Sequence, residues 1–148
     1  MPPDRARAAG RRLSEVVGTG RTVPWRRLTW LAGRYAVCRL DARAPLPPEA
    51  FGTFLSMTRT ERELSIVCEE AAAPRGATLE AGWRAFVLGG PIPFQETGVL
   101  ASVVAPLARA KIPVFAISTH DTDYVLVQDA DAAAAGRALT EAGFEVEG

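Results

Sequence analysis

The strongest constraint in this chain is the order in which hydrophobic periodicity changes over its last 65 or so residues. "WRAFVL" (83–88) is short, apolar and aromatic. Gly89, Gly90, Pro91 and Pro93 stop it, so it reads as a strand followed by a loop. Over 97–110, Leu100, Val103, Val104 and Leu107 fall at i, i+3, i+4 and i+7, one apolar face of a helix, bent at Pro106. "PVFAIS" (113–118) and "DYVLVQ" (123–128) are two further strands. "DADAAAAGRALTEAG" (129–143) is a second helix, capped by Asp129 or Asp131 and closed by Gly143. "FEVE" ends the series as a strand. The order β-α-β-β-α-β predicts two helices on one face of a four-stranded antiparallel sheet.

That order is the split βαβ, or ferredoxin-like, unit of an α+β fold. The residues before it are a weaker version. "LTWLAGRYAVCRL" reads as one long strand or a hairpin, and "PLPPEAF" (45–51) has room for one helical turn. "GTFLSMTRT" and "RELSIVCEE" are two strands turning at Thr60–Glu61. The expected organisation is a first unit over 28–80 and a second over 81–148. The first is too small to bury a core alone and is expected to share its sheet with the second.

Residues 1–27 differ from this body. They carry seven Arg against Asp4 and Glu15, a net +5, whereas the remainder is −5. With few large apolar residues and several Gly and Pro, this segment is expected to be a basic, largely disordered tail. Its Arg residues are spread out, and the body is acidic without an aromatic RNA-binding pattern, which disfavours nucleic acid as a partner. No run of 18 apolar residues exists to span a membrane, and no secretory pattern opens the chain. Cys38 and Cys68 lie in strand-like apolar runs and are expected to be buried free thiols in a reducing cytoplasm. Two cysteines and one histidine make no metal framework, and no cofactor motif is present.

The polar stretch "STHDTD" (118–123) between two strands is the segment where chemistry concentrates. In a βαββ unit the first loop and the end of the second strand lie close together. The free backbone N–H groups of Thr97, Gly98 and Val99, at the start of the first helix, would favour an anion. Gly98 would admit close approach of a ligand. Glu96 and Asp123 would face the same space and suit an ammonium or a longer cationic side chain. The ordinary alternatives are a helix cap at Glu96–Thr97, turn chemistry at Asp121–Thr122 and a solvated loop histidine at His120.

"TRTERELSIVCEE", "GWRAFVLGGPIPFQETGVLASVVAPLARAKIPVFAISTHDTDYVLV" and "ALTEAGFEV" together resemble the ACT domain. More narrowly, they resemble bacterial ACT proteins related to the CASTOR-type cytosolic arginine sensors. The resemblance covers about residues 28–147 and makes the first unit a truncated ACT-like unit. It implies a regulatory module that holds a free amino acid between ACT units, a sensor and not a catalyst. One body per chain then implies a homodimer. Positions 120, 122 and 123 match strand-end residues that wall the family's ligand site, and Glu96 and Gly98 match those at its helix end. The expected ligand residues are therefore Glu96, Thr97, Gly98, Val99, Ser118, His120, Thr122 and Asp123. The family place of His120 tends to be aromatic, so the choice of ligand is not carried over.

Two other functional classes are weighed against this one. A protein-interaction module without a ligand would use an open sheet edge or helix face. A small hydrolase would use Ser118, His120 and Asp123. In extended chain, however, Ser118, His120 and Thr122 share one side while Asp121 and Asp123 share the other. No G-x-S-x-G elbow or second histidine supports the hydrolase.

Overall fold

The structure is a computed structural model that describes residues 23–48 and 52–148. The basic tail expected over 1–27 lies almost wholly outside the described residues, as does the end of the helical turn expected over 45–51. Among the described residues, eight strands and two α-helices follow in order: β1 (Arg27–Trp30), β2 (Tyr35–Leu40), β3 (Leu55–Arg59), β4 (Leu64–Glu69), β5 (Thr78–Leu88), α1 (Val99–Arg109), β6 (Phe115–Ser118), β7 (Asp123–Gln128), α2 (Ala132–Glu141) and β8 (Glu145–Glu147).

All eight strands join one sheet, and β5 is its spine. The first half of β5 pairs antiparallel with β2, through Leu79 with Cys38 and Glu80 with Val37. Its second half pairs with β1 through Leu28–Leu88, and with β7 through Phe86–Val125. "LTWLAGRYAVCRL" is thus not a hairpin. It forms two successive strands, both antiparallel to β5, interrupted at residues 31–34 where Gly33 takes φ +84°.

The expected four-stranded antiparallel sheet needs correction. β8 does not pair with β5. β1 lies between them, antiparallel to β5 and parallel to β8 through Leu28–Val146. The physical reason is apolar register. Leu28 is fully buried beside Leu88, on the face that the helices cover. The sheet is shared as expected, continuing from the first half of β5 through β2, β4 and β3, with β4 between β2 and β3.

Alternation along β7 divides the core. Val125 and Val127 point toward the helices, where they meet Phe86, Val103, Leu107 and Leu139. Leu126 and Tyr124 point to the opposite face, against Ala85, Tyr35 and Phe54. Each such fully buried Leu or Phe contributes about 1.5–3 kcal/mol relative to exposure. On α1, Val103 and Leu107 are buried and Leu100 and Val104 half-buried, which is the predicted apolar face. The helix runs through Pro106, itself buried.

Both helices end in the same way. At α1, Ile112 N–H bonds Leu107 C=O and Lys111 N–H bonds Ala108 C=O, with Lys111 at φ +58°. At α2, Phe144 N–H bonds Leu139 C=O and Gly143 N–H bonds Thr140 C=O, with Gly143 at φ +93°. These are paired Schellman closures, and Gly143 plays its predicted part. The predicted aspartate cap of α2 is not made: neither side chain bonds the helix start. Asp129 instead accepts from Arg34 at 2.8 Å and lies 3.5 Å from Arg84.

Candidate ligand-binding site

The loop after β5 and the β6–β7 hairpin are tied together. Ile92 N–H donates to Asp121 C=O at 2.7 Å, and Thr122 Oγ1 donates to Leu88 C=O at 2.7 Å. Gly90 is required at this junction, since a Cβ there would lie 2.9 Å from the Asp121 carbonyl oxygen. The hairpin itself is a tight turn. Thr119 N–H donates to Thr122 C=O at 2.8 Å, and Thr119 Oγ1 sits 3.3 Å from Thr122 N–H.

This turn changes the expected disposition of the polar residues. Ser118 and Asp123 are partners across the last pair of the ladder, so they lie on the same face, with Ser118 Oγ donating to Asp123 Oδ1 at 2.6 Å. That face is the helix side, because Asp123 alternates with Val125 and Val127. His120 Nδ1 is 2.8 Å from Asp121 Oδ1. The imidazole thus pairs with Asp121 and the hydroxyl with Asp123, and no hydrogen-bonded relay connects His120 to Ser118.

Helix α1 opens toward the hairpin. Its first helical residue is Val99, two later than predicted, and Gly98 precedes it at φ +74° without any side-chain cap. Glu96 and Thr97 therefore do not cap the helix. Glu96 N–H instead closes a turn onto Pro93 C=O at 3.0 Å. The first main-chain bond within α1 runs from Ser102 N–H to Gly98 C=O, which leaves the N–H groups of Val99, Leu100 and Ala101 as the donors at the helix start. The expected set Thr97, Gly98 and Val99 shifts accordingly.

Between helix start and hairpin lies a cleft of about 390 Å³. Seven of the eight residues singled out from the sequence line it: Glu96, Gly98, Val99, Ser118, His120, Thr122 and Asp123. Thr97 does not; it is exposed outside the lining. Sequence reasoning missed Ile92, Pro93, Phe94, Leu100, Ala101, Thr119 and Asp121. Leu100 and Ala101 were reachable, since they complete the first turn of the helix. Phe94 carries no periodic signal, because it stands in a Pro-rich loop.

The cleft has two chemical halves. One offers main-chain N–H donors at the positive end of α1, suited to a carboxylate. The other offers the carboxylates of Glu96, Asp121 and Asp123, with His120 the sole cationic candidate among the lining residues. Among the described residues no group of His, Cys, Asp and Glu has the geometry of a metal site. Cys38 and Cys68 lie far from this chemistry in the β2–β4 pairing, buried and free.

Comparison with known proteins bears on this geometry. The family model described as the ACT domain matches residues 78–141, which contain the whole cleft, and a second model described as an N-terminal domain matches residues 33–76. The cytosolic arginine sensor for mTORC1 subunit 1 of Homo sapiens is 31% identical over 97 residues. The match takes in 60% of this chain but only 30% of that protein. The crystal structure of protein Atu0741 from Agrobacterium tumefaciens superposes with a TM-score of 0.76 at 39% identity, covering 81% of this chain and 90% of that one. The regulatory subunit of aspartate kinase from Thermus thermophilus, at 11% identity and a TM-score of 0.53 over 75% of this chain and 93% of that one, shares the fold.

Proposed function

We propose, for a chain that belongs to the ACT-domain family and is related to the CASTOR-type cytosolic arginine sensors, that it is a regulatory protein binding a free amino acid in the cleft between α1 and the β6–β7 hairpin. The observation that carries this reading is the meeting of two opposite chemistries in one space. Main-chain N–H donors of Val99, Leu100 and Ala101 at the start of α1 border the same cleft as the carboxylates of Glu96, just before the helix, and Asp123, on the hairpin. A zwitterion answers both at once. A simple anion would meet three carboxylates, and a simple cation would leave the helix start unused.

The relative's name, a cytosolic arginine sensor, supports an amino acid as the ligand class and the cytoplasm as the setting. Since the match spans less than a third of that relative's length, we extend only the ligand class and the setting. We further propose a homodimer in which a second copy closes the cleft. The edge of β6 away from β7 has no partner strand among the described residues. Phe115 and Ile117 leave that edge half-buried on the face away from the helices. An unpaired, partly apolar edge is suited to a partner.

Blocked ligands test the zwitterion. The amino acid that binds most tightly should lose its affinity both as the N-acetyl derivative and as the carboxamide. Equal binding of either derivative would refute the two-sided grip.

A further inference from the structure

We propose that Phe94 is the residue by which this cleft discriminates between amino acids, an inference that rests on the amino acid reading above. Phe94 is 76% exposed, the most exposed of the large apolar side chains among the described residues. It belongs to no core cluster. Yet the backbone around it is tied: Ile92 N–H bonds Asp121 C=O on one side of it, and Glu96 N–H bonds Pro93 C=O on the other. Its ring meets the His120 imidazole edge-to-face, with centroids 5.0 Å apart and planes at 88°. Both rings line the cleft.

An exposed phenyl ring on a tied stretch of backbone contributes little to this fold. It is, however, preorganised to cover something, because the entropy of ordering its loop has already been met in the free protein. The polar half of the cleft grips the ammonium and carboxylate that every amino acid carries, so it cannot choose between them. Choice must come from groups that meet the side chain. Ile92, Phe94, Val99 and Leu100 are the larger apolar side chains of the lining. Of these, Val99 is buried in the helix-side core and Ile92 and Leu100 are half-buried against it, whereas Phe94 belongs to no core cluster. A ring face accepts an apolar stem, another ring or a cationic group, and gains nothing from a hydrogen atom or a methyl group.

The test is calorimetric titration of the full chain, as wild type, Phe94→Ala and Phe94→Tyr, with glycine, L-alanine, L-leucine, L-phenylalanine, L-lysine and L-arginine. Light scattering and a thermal melt accompany each protein. Wild type should favour the tightest of the four larger amino acids over alanine. Phe94→Ala should shrink that ratio at least tenfold with an unchanged melting temperature, and Phe94→Tyr should retain it. An undiminished ratio in Phe94→Ala overturns the role of Phe94 while leaving the amino acid reading standing. A changed oligomeric state with unchanged ratios also overturns it, assigning the ring to a protein contact. Wild-type protein that binds none of the six overturns this inference together with the reading beneath it.

Discussion

Ser118 Oγ donates to Asp123 Oδ1 at 2.6 Å across the closing pair of the β6–β7 hairpin, on the face that looks toward the start of α1. One carboxylate oxygen is thereby held, and the half-buried Asp123 is oriented at the wall of the cleft.

Asp123→Ala should weaken binding of the amino acid strongly and leave the fold nearly intact. A charge-assisted bond to an ammonium is worth about 1.5–3 kcal/mol, or roughly 10–150-fold in affinity. The free protein loses only the exposed bond to Ser118, at about 1 kcal/mol or less. Ser118→Ala, which frees Asp123 without removing its charge, should weaken binding less. Titration and thermal melts of both variants check this, and wild-type affinity in Asp123→Ala would move the site elsewhere.

Gly98→Ala tests the entrance to the helix. At φ +74° an alanine is strained by roughly 1–2 kcal/mol, so this variant should be less stable than wild type even without ligand. The added methyl also stands where the ligand carboxylate would approach the α1 donors. Denaturant unfolding reads the first effect and titration the second. A variant as stable as wild type would contradict the left-handed geometry.

Leu28→Ala probes the insertion of β1 between β5 and β8. Leu28 is fully buried beside Leu88 and Val146, and its truncation should cost about 2–5 kcal/mol. We propose that residues 28–80 and 81–148 unfold together, because β5 runs through the boundary between them and pairs with strands of both. Calorimetry should show one transition, shifted down as a whole. Two transitions, only one of them moved, would contradict this.

The thiols should be inert in the native protein. Burial, reinforced by the neighbouring Cys68, pushes Cys38 up to about 12, and burial also raises Cys68. Because the thiolate is the reactive species, neither should react with a disulfide reagent at pH 8 until denaturant is added. Prompt reaction of either thiol without denaturant would show that the β2–β4 pairing opens.

The elements set by local pattern were legible. "DYVLVQ" coincides with β7 because a short, continuous, β-prone apolar run is bounded by polar residues at both ends. The start of α1 is two residues later than the pattern suggests, since Thr97 reads as a cap while Gly98, in a left-handed turn, is the residue that precedes the helix. The place of β1 was illegible for a different reason. Whether Leu28 pairs with Leu88, and Val146 with Leu28, depends on contacts between segments some 60 to 120 positions apart, which no local periodicity encodes. Most of the polar wall could be found from charge and type, whereas Phe94 could not, because its significance lies in being exposed and held at once.

The central claim is that this cleft holds a free amino acid, and a thermal-shift screen of the 20 amino acids against the full chain tests it most directly. A ligand at about 100 times its dissociation constant should add about 2.7 kcal/mol of stability. A clear rise in melting temperature is predicted for at least one amino acid with the wild-type protein, and a much smaller rise for the same amino acid at the same concentration with Asp123→Ala. Twenty flat responses from wild-type protein, at concentrations up to tens of millimolar, would contradict the account and leave a ligand-free interaction module in its place.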